Sequence, residues 1–213
     1  MKLEILYENS DILVINKPHN LSTIPTKAHF DNNLCRFVCE YLNDPNFVFR
    51  AIYRLDKDTA GIIFVAKTIE GYHNTKILSK EYFALCEGVF DKREFDIDKP
   101  ILTETIDGKN QMKRVISNDG KPAQTHCEVV KNFENRSLVK CTLKTGRTHQ
   151  IRVHLSSENH PLVGDPIYND KYTSQYGKSH SFLLLKKVTF QISNSTAQTF
   201  EINFPDDWKD LLK

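Results

Sequence analysis

Apolar and polar positions along this chain alternate in short runs more often than they repeat at helical spacing. The runs at 3–7, 11–16, 48–53 and 62–67 are rich in β-branched and aromatic residues, which predicts strands. Over 32–43, Leu34, Phe37, Val38, Tyr41 and Leu42 recur on one face instead, predicting an amphipathic helix with Asp31 or Asn32 as its cap. A short helix near 69–78, capped by Thr68, leads into a strand that carries Tyr82. From 97 to 145 the pattern is strand-like, and Asp119-Gly120 predicts a hairpin between 112–117 and 122–131. Thr148 reads as the N-cap of a helix reaching about residue 157, with Gly146 at the turn before it. Strands near 182–192 and 199–204, then a short helix opened by Pro205, complete the pattern. Strands dominate without the regular βα alternation of a parallel sheet, so the expected class is α+β.

Composition narrows the setting. With 213 residues, 39% of them hydrophobic, one sizeable core can be buried, and a single domain over 1–213 is expected. The longest apolar run, Ile62 to Ala66, falls far short of the roughly 20 residues of a membrane span. Met1-Lys2-Leu3-Glu4-Ile5 has no apolar signal core, so a cytoplasmic protein without a membrane partner is expected. Five cysteines, an odd number without paired spacing, argue against a disulfide framework. Cys35 and Cys39 stand one helical turn apart, but they belong to the amphipathic helix and are read as buried thiols, with no metal implied.

The net charge of +2 says little until its distribution is read. Lys140, Lys144, Arg147 and Arg152 fall in a stretch without an acid, whereas Glu94, Asp96, Asp98, Glu104 and Asp107 cluster against only Lys99 and Lys109. A basic face that a phosphate backbone would choose is expected. The sharpest chemical feature is Tyr53-Arg54-Leu55-Asp56-Lys57-Asp58-Thr59-Ala60-Gly61, which sets a carboxylate beside an arginine on a turn between two strand-like runs. An acid presented in this way is a candidate catalyst.

This stretch resembles the Arg-Leu-Asp motif of the RluA-type pseudouridine synthases, and three further segments match in the family's order. Ile15-Asn16-Lys17-Pro18-His19-Asn20-Leu21 is similar to the Asn-Lys-Pro-x-Gly-Leu element, with Asn20, which tolerates a left-handed backbone, at the glycine position. Lys80-Glu81-Tyr82 resembles the Lys-x-Tyr strand. Leu143-Lys144-Thr145-Gly146-Arg147-Thr148-His149-Gln150-Ile151-Arg152-Val153-His154-Leu155, followed by Leu162-Val163-Gly164-Asp165-Pro166-Ile167-Tyr168, is the most specific match. Two positions depart from the pattern near the acid: Tyr53 stands where most relatives have His, and Ala60 where they have Ser.

The resemblance implies a mixed, largely antiparallel sheet flanked by helices and loops, a single catalytic domain without a separate N-terminal RNA-binding domain, and isomerisation of a uridine in structured RNA. That RNA would be ribosomal or transfer RNA, with ribosomal preferred. The reaction breaks the C1′–N1 bond, turns the base and joins C1′ to C5, with no redox change, so no cofactor or metal is implied. Asp56 would be the catalytic group, as nucleophile or as base. Either role needs its charged form, which a neighbouring cation favours; the family pattern gives that part to Arg152. Tyr82 would offer a flat face to the uracil. A stacked base must be flipped out to be reached, and Arg54 is the position that fills the gap. Lys17, Arg147, His149 and Gln150 would contact RNA, the last three near a helix N-terminus where free N–H groups attract phosphate. A monomer is expected.

Two rivals carry less. Asp56-x-Asp58-Thr59 resembles the Asp-x-Asp-x-Thr of haloacid-dehalogenase-type phosphatases, but its threonine comes one position early and the parallel sheet is missing. A non-catalytic RNA-binding or ribosome-assembly factor would have lost Asp56 or Tyr82, and both are present together with Arg152.

Overall fold

The structure, a computed structural model, describes residues 1–26, 30–106, 111–170, 180–193 and 195–213. In chain order it forms β1 (Glu4–Glu8), β2 (Ile12–Lys17), α1 (Leu34–Leu42), β3 (Arg50–Ala51), β4 (Ala60–Ala66), α2 (Ile69–Asn74) and β5 (Thr75–Glu87). There follow β6 (Glu94–Asp98), β7 (Ile101–Ile106), β8 (Gln111–Ile116), β9 (Gln124–Asn132), β10 (Arg136–Leu143), α3 (Gln150–Ser157), β11 (Leu183–Ile192) and β12 (Gln198–Glu201), then a 3-10 turn at Asp206–Trp208. Two compact units emerge: Met1–Lys80 with Leu184–Asn203, and Glu81–Leu183 with Phe204–Lys213. The class is α+β, as expected.

In the first unit β2 is antiparallel to both β1 and β4, while β11 runs parallel to β4 and pairs with β12. Every residue of β4 is buried, which is why its sequence is a continuous apolar run rather than an alternating one. Phe64 of β4 meets Phe190 of β11 at 4.9 Å between ring centroids, and Phe190 stacks on Phe200 of β12 at 5.3 Å. Gly61, the second residue of β4, has φ +124°, and a Cβ there would lie 2.3 Å from the Leu185 carbonyl oxygen. Only glycine allows β11 to approach the strand that leaves the Asp56 turn.

The second unit orders the Glu81–Glu87 part of β5, then β10, β9 and β6 by antiparallel pairing, with β7 and β8 as a separate two-stranded sheet. Val153 of α3 packs with Ile101, Ala123 and Tyr168 in a small core. Trp208, fully buried, lies against Phe182 and Phe204 at 5.5 and 5.3 Å.

Several local expectations shift. The α1 cap is Asn33, whose side chain accepts from the Arg36 N–H at 3.0 Å, whereas Asp31 accepts from the Arg36 side chain. Leu34 and Val38 are buried on α1, but Cys35 and Cys39 are only half-buried at its flank. The strand expected over 48–53 contracts to β3. Thr68 caps α2 as expected, accepting from Gly71 N–H at 2.9 Å, but the helix stops at Asn74 because β5 begins at once. The expected hairpin does not form. Asp119-Gly120 does turn the chain, yet β8 pairs with β7, and Lys121 exchanges two backbone hydrogen bonds with Ile101 at 2.9 Å each. The β7 edge captures the segment, leaving β9 to pair with β10 and β6.

Candidate active site

The Asp56 turn is built by the first unit and held from below by the Ile15–Leu21 element. Lys17 ends β2 fully buried, and its ammonium donates to the carbonyls of Pro18, Leu21 and Lys57 at 2.9, 2.8 and 3.3 Å. His19 donates through Nδ1 to the Asp58 carbonyl at 2.7 Å. The Thr23 hydroxyl donates to the Leu55 carbonyl at 2.7 Å and accepts from the Leu55 N–H at 3.3 Å. The Thr59 N–H closes the turn on the Asp56 carbonyl at 3.1 Å. Three backbone carbonyls of four consecutive residues, 55, 57 and 58, are thus tied to one loop, which leaves Asp56 half-buried and Arg54 exposed. Asn20, at φ 60°, adopts the left-handed conformation that lets this loop bend back.

Burial pulls Lys17 down to about 7, against the opposing pull of the Asp56 and Asp58 charges. This corrects the expectation of an RNA contact: a lysine with no exposed surface and three carbonyl partners positions the turn rather than a phosphate. Tyr53 also serves the scaffold, its hydroxyl donating to the Ile62 carbonyl at 2.8 Å while Lys80 Nζ lies 4.7 Å from its ring centroid.

The second unit carries the other candidates. Tyr82, 6% exposed, sits on β5 opposite Cys141 of β10. The α3 helix starts from His149, not Thr148, and His149 takes a left-handed φ of 58° without a side-chain cap. The N-terminal order comes instead from Gln150, whose Oε1 accepts from the Thr145 hydroxyl at 2.8 Å and the Arg147 N–H at 2.9 Å. Its Nε2 donates to Gln124 O and Thr125 Oγ1 at 2.9 and 3.0 Å. Gln150 is therefore a buried brace, and the expected RNA contact is corrected on the same ground as Lys17. Arg147 remains exposed, with its Nε donating to Pro122 O at 3.1 Å.

Arg152 forms a buried bidentate pair with Asp165: Nε to Oδ2 at 2.7 Å and Nη2 to Oδ1 at 2.8 Å. Asp165 Oδ1 also accepts from the N–H groups of Ile167 and Tyr168 at 2.9 and 3.1 Å. The Tyr168 hydroxyl accepts from the Arg114 N–H at 3.1 Å and shares a hydrogen bond of 2.8 Å with His149 Nδ1. Burial holds that hydroxyl above the usual tyrosine range. Asp165 and Tyr168 belong to the Leu162–Tyr168 segment of the motif, and their distance along the chain from Arg152 conceals their part in holding it. The expected basic face is also thinner than its sequence. Arg152 is interior and Lys140 is paired with Glu128 at 2.7 Å, leaving Lys144 and Arg147 exposed. On the acidic side, Glu94 and Asp96 face His126, and Asp107 and Lys109 lie outside the described residues.

The sequence model of the RNA pseudouridylate synthase family matches residues 11–157. The chain belongs to this family. Among curated RNA pseudouridine synthases it is 36% identical over 187 residues to the uncharacterized RNA pseudouridine synthase YlyB of Bacillus subtilis, covering 83% of this chain and 61% of that protein. It is 37% identical over 174 residues to the ribosomal large subunit pseudouridine synthase D of Nitrosomonas europaea, covering 78% of this chain and 49% of that one. The chain therefore spans about half to three fifths of the length of the curated relatives it matches. The fold is that of human RNA pseudouridylate synthase domain containing 1, with a TM-score of 0.77 at 23% identity over 100% of this chain and 86% of that one.

Proposed function

We propose that this chain is a pseudouridine synthase that isomerises a uridine of structured RNA, with ribosomal RNA as the first candidate and transfer RNA as the second. One observation carries the reading: in a member of the RNA pseudouridylate synthase family, Lys17, His19 and Thr23 clamp the turn that presents Asp56. A carboxylate held by tied backbone needs little reorganisation when it meets its substrate. The names of relatives that act on the ribosomal large subunit support the RNA preference.

The target nucleotide leaves its stack at a cost of a few kcal/mol, and the exposed Arg54 fills the space it vacates. Asp56 attacks C1′ or removes the 2′ proton. The C1′–N1 bond breaks, uracil turns, and C1′ joins C5; the proton lost from C5 is balanced by one gained at N1. Tyr82 supplies a wall for the base, and Arg152, steadied by Asp165, is the counter-ion of Asp56. Arg147 and His149 contact the RNA. The chain works as a catalytic domain, as a monomer, in the cytoplasm and without a cofactor.

The test is to map pseudouridine by chemical labelling across ribosomal and transfer RNA from cells with the intact gene, without it, and with Asp56→Asn alone. A site lost in both altered strains is the expected result and also identifies the target. Full modification in the Asp56→Asn strain would falsify the catalytic assignment, and no change in any strain would bring the RNA-binding factor forward.

A further inference from the structure

Beside the Asp56 turn, within the first unit, lies an open groove of about 410 Å3, inside the range of roughly 300–1,000 Å3 usual for small-ligand sites. Its apolar lining includes Ile24, Phe49, Ile69 and Tyr72. Ile69 and Tyr72 are 56% and 43% exposed, so the α2 side of the groove presents an uncovered aliphatic and an uncovered ring to solvent. The Tyr72 and His73 rings meet edge to face at 5.5 Å and 83°, which restricts the tyrosine plane. The charged lining residues are Arg50 and Arg54, with no carboxylate among the lining residues. Arg50 donates through Nη1 to the Val48 carbonyl at 2.9 Å.

Flat rings beside guanidinium groups are the complement of a nucleotide, whose base stacks on an aromatic face and whose phosphate is met by arginine. We propose that this groove receives an unpaired nucleobase of the RNA strand next to the target uridine, with its base against Tyr72 and Phe49 and its phosphate towards Arg50. Arg54 lines the groove and lies only two residues from Asp56, at most about 7 Å of chain. A nucleotide seated there therefore neighbours the one addressed by the turn. This site would add recognition of an unstacked base to recognition of the target itself. It rests on the RNA-modifying reading given under Proposed function.

The test irradiates the full chain with ribosomal and transfer RNA isolated from cells lacking the gene, and locates crosslinked peptides by mass spectrometry. RNA affinity and pseudouridine formation are measured in parallel for the unaltered protein, Tyr72→Ala and Tyr72→Phe. The expected result is a crosslink within 48–54 or 69–73, an affinity at least about tenfold weaker for Tyr72→Ala, and recovery in Tyr72→Phe, which keeps the ring. Normal modification with no crosslink in those segments and unchanged affinity in Tyr72→Ala overturns the groove while the catalytic reading stands. An unaltered protein that neither binds nor modifies this RNA overturns both.

Discussion

Lys17 and Arg152 are two buried cations solved in different ways. Lys17 spends its ammonium on three carbonyls, and burial pulls it from 10.5 down to about 7. Because its value is lower in the folded than in the unfolded chain, the unfolded chain holds the extra proton between those limits. Stability assignable to Lys17 is thus fully present above 10.5 and is lost as pH falls towards about 7. In urea titrations the unaltered protein should gain on Lys17→Met by up to about 1.4 kcal/mol per pH unit above neutrality. A difference independent of pH would refute the depressed value. Arg152 instead shares a buried bidentate pair with Asp165, so Asp165→Ala strips an interior cation of two charge-assisted hydrogen bonds. The expected loss is roughly 3–5 kcal/mol by urea denaturation, far more than for Asp56→Asn, whose half-buried site keeps its shape.

At the scale of elements, β4 and the turn before it are one device. The turn can present Asp56 only if the chain enters the sheet directly afterwards, and Gly61 permits this by letting Leu185 of β11 approach. Gly61→Ala should cost at least about 1–3 kcal/mol from backbone conformation alone, with the steric conflict added, and should lower pseudouridine formation by displacing the turn. A variant as stable and active as the unaltered protein would show that β11 yields freely. The α3 helix shows a different economy. Its first turn is organised by Gln150 reaching back to Thr145 and Arg147, which frees His149 to meet Tyr168.

For the molecule as a whole, the net charge of +2 and a basic stretch reduced to exposed Lys144 and Arg147 give the proposed RNA binding a few phosphate contacts rather than a broad field. Affinity should fall as salt rises, and Arg147→Gln should flatten the logarithmic slope by roughly 0.7–0.9, the value of one phosphate contact. Unchanged slope would remove Arg147 from the interface. Among the described residues no helix is long and apolar enough to cross a membrane.

The order of residues is enough to give the family, the α+β class, the Asp56 turn between two apolar runs, the Thr68 cap and the left-handed Asn20. Each is written in neighbouring residues: a side chain and a backbone amide three positions apart, or a run of apolar side chains that must leave water. The tertiary structure alone decided that Lys17 and Gln150 are braces, that Asp165 holds Arg152, and that β8 turns to β7 rather than to β9. Those outcomes depend on which buried polar group finds which distant partner, and on which sheet edge is open when a strand arrives. Local spacing carries no trace of either, because burial and edge pairing are settled by segments far away in the chain.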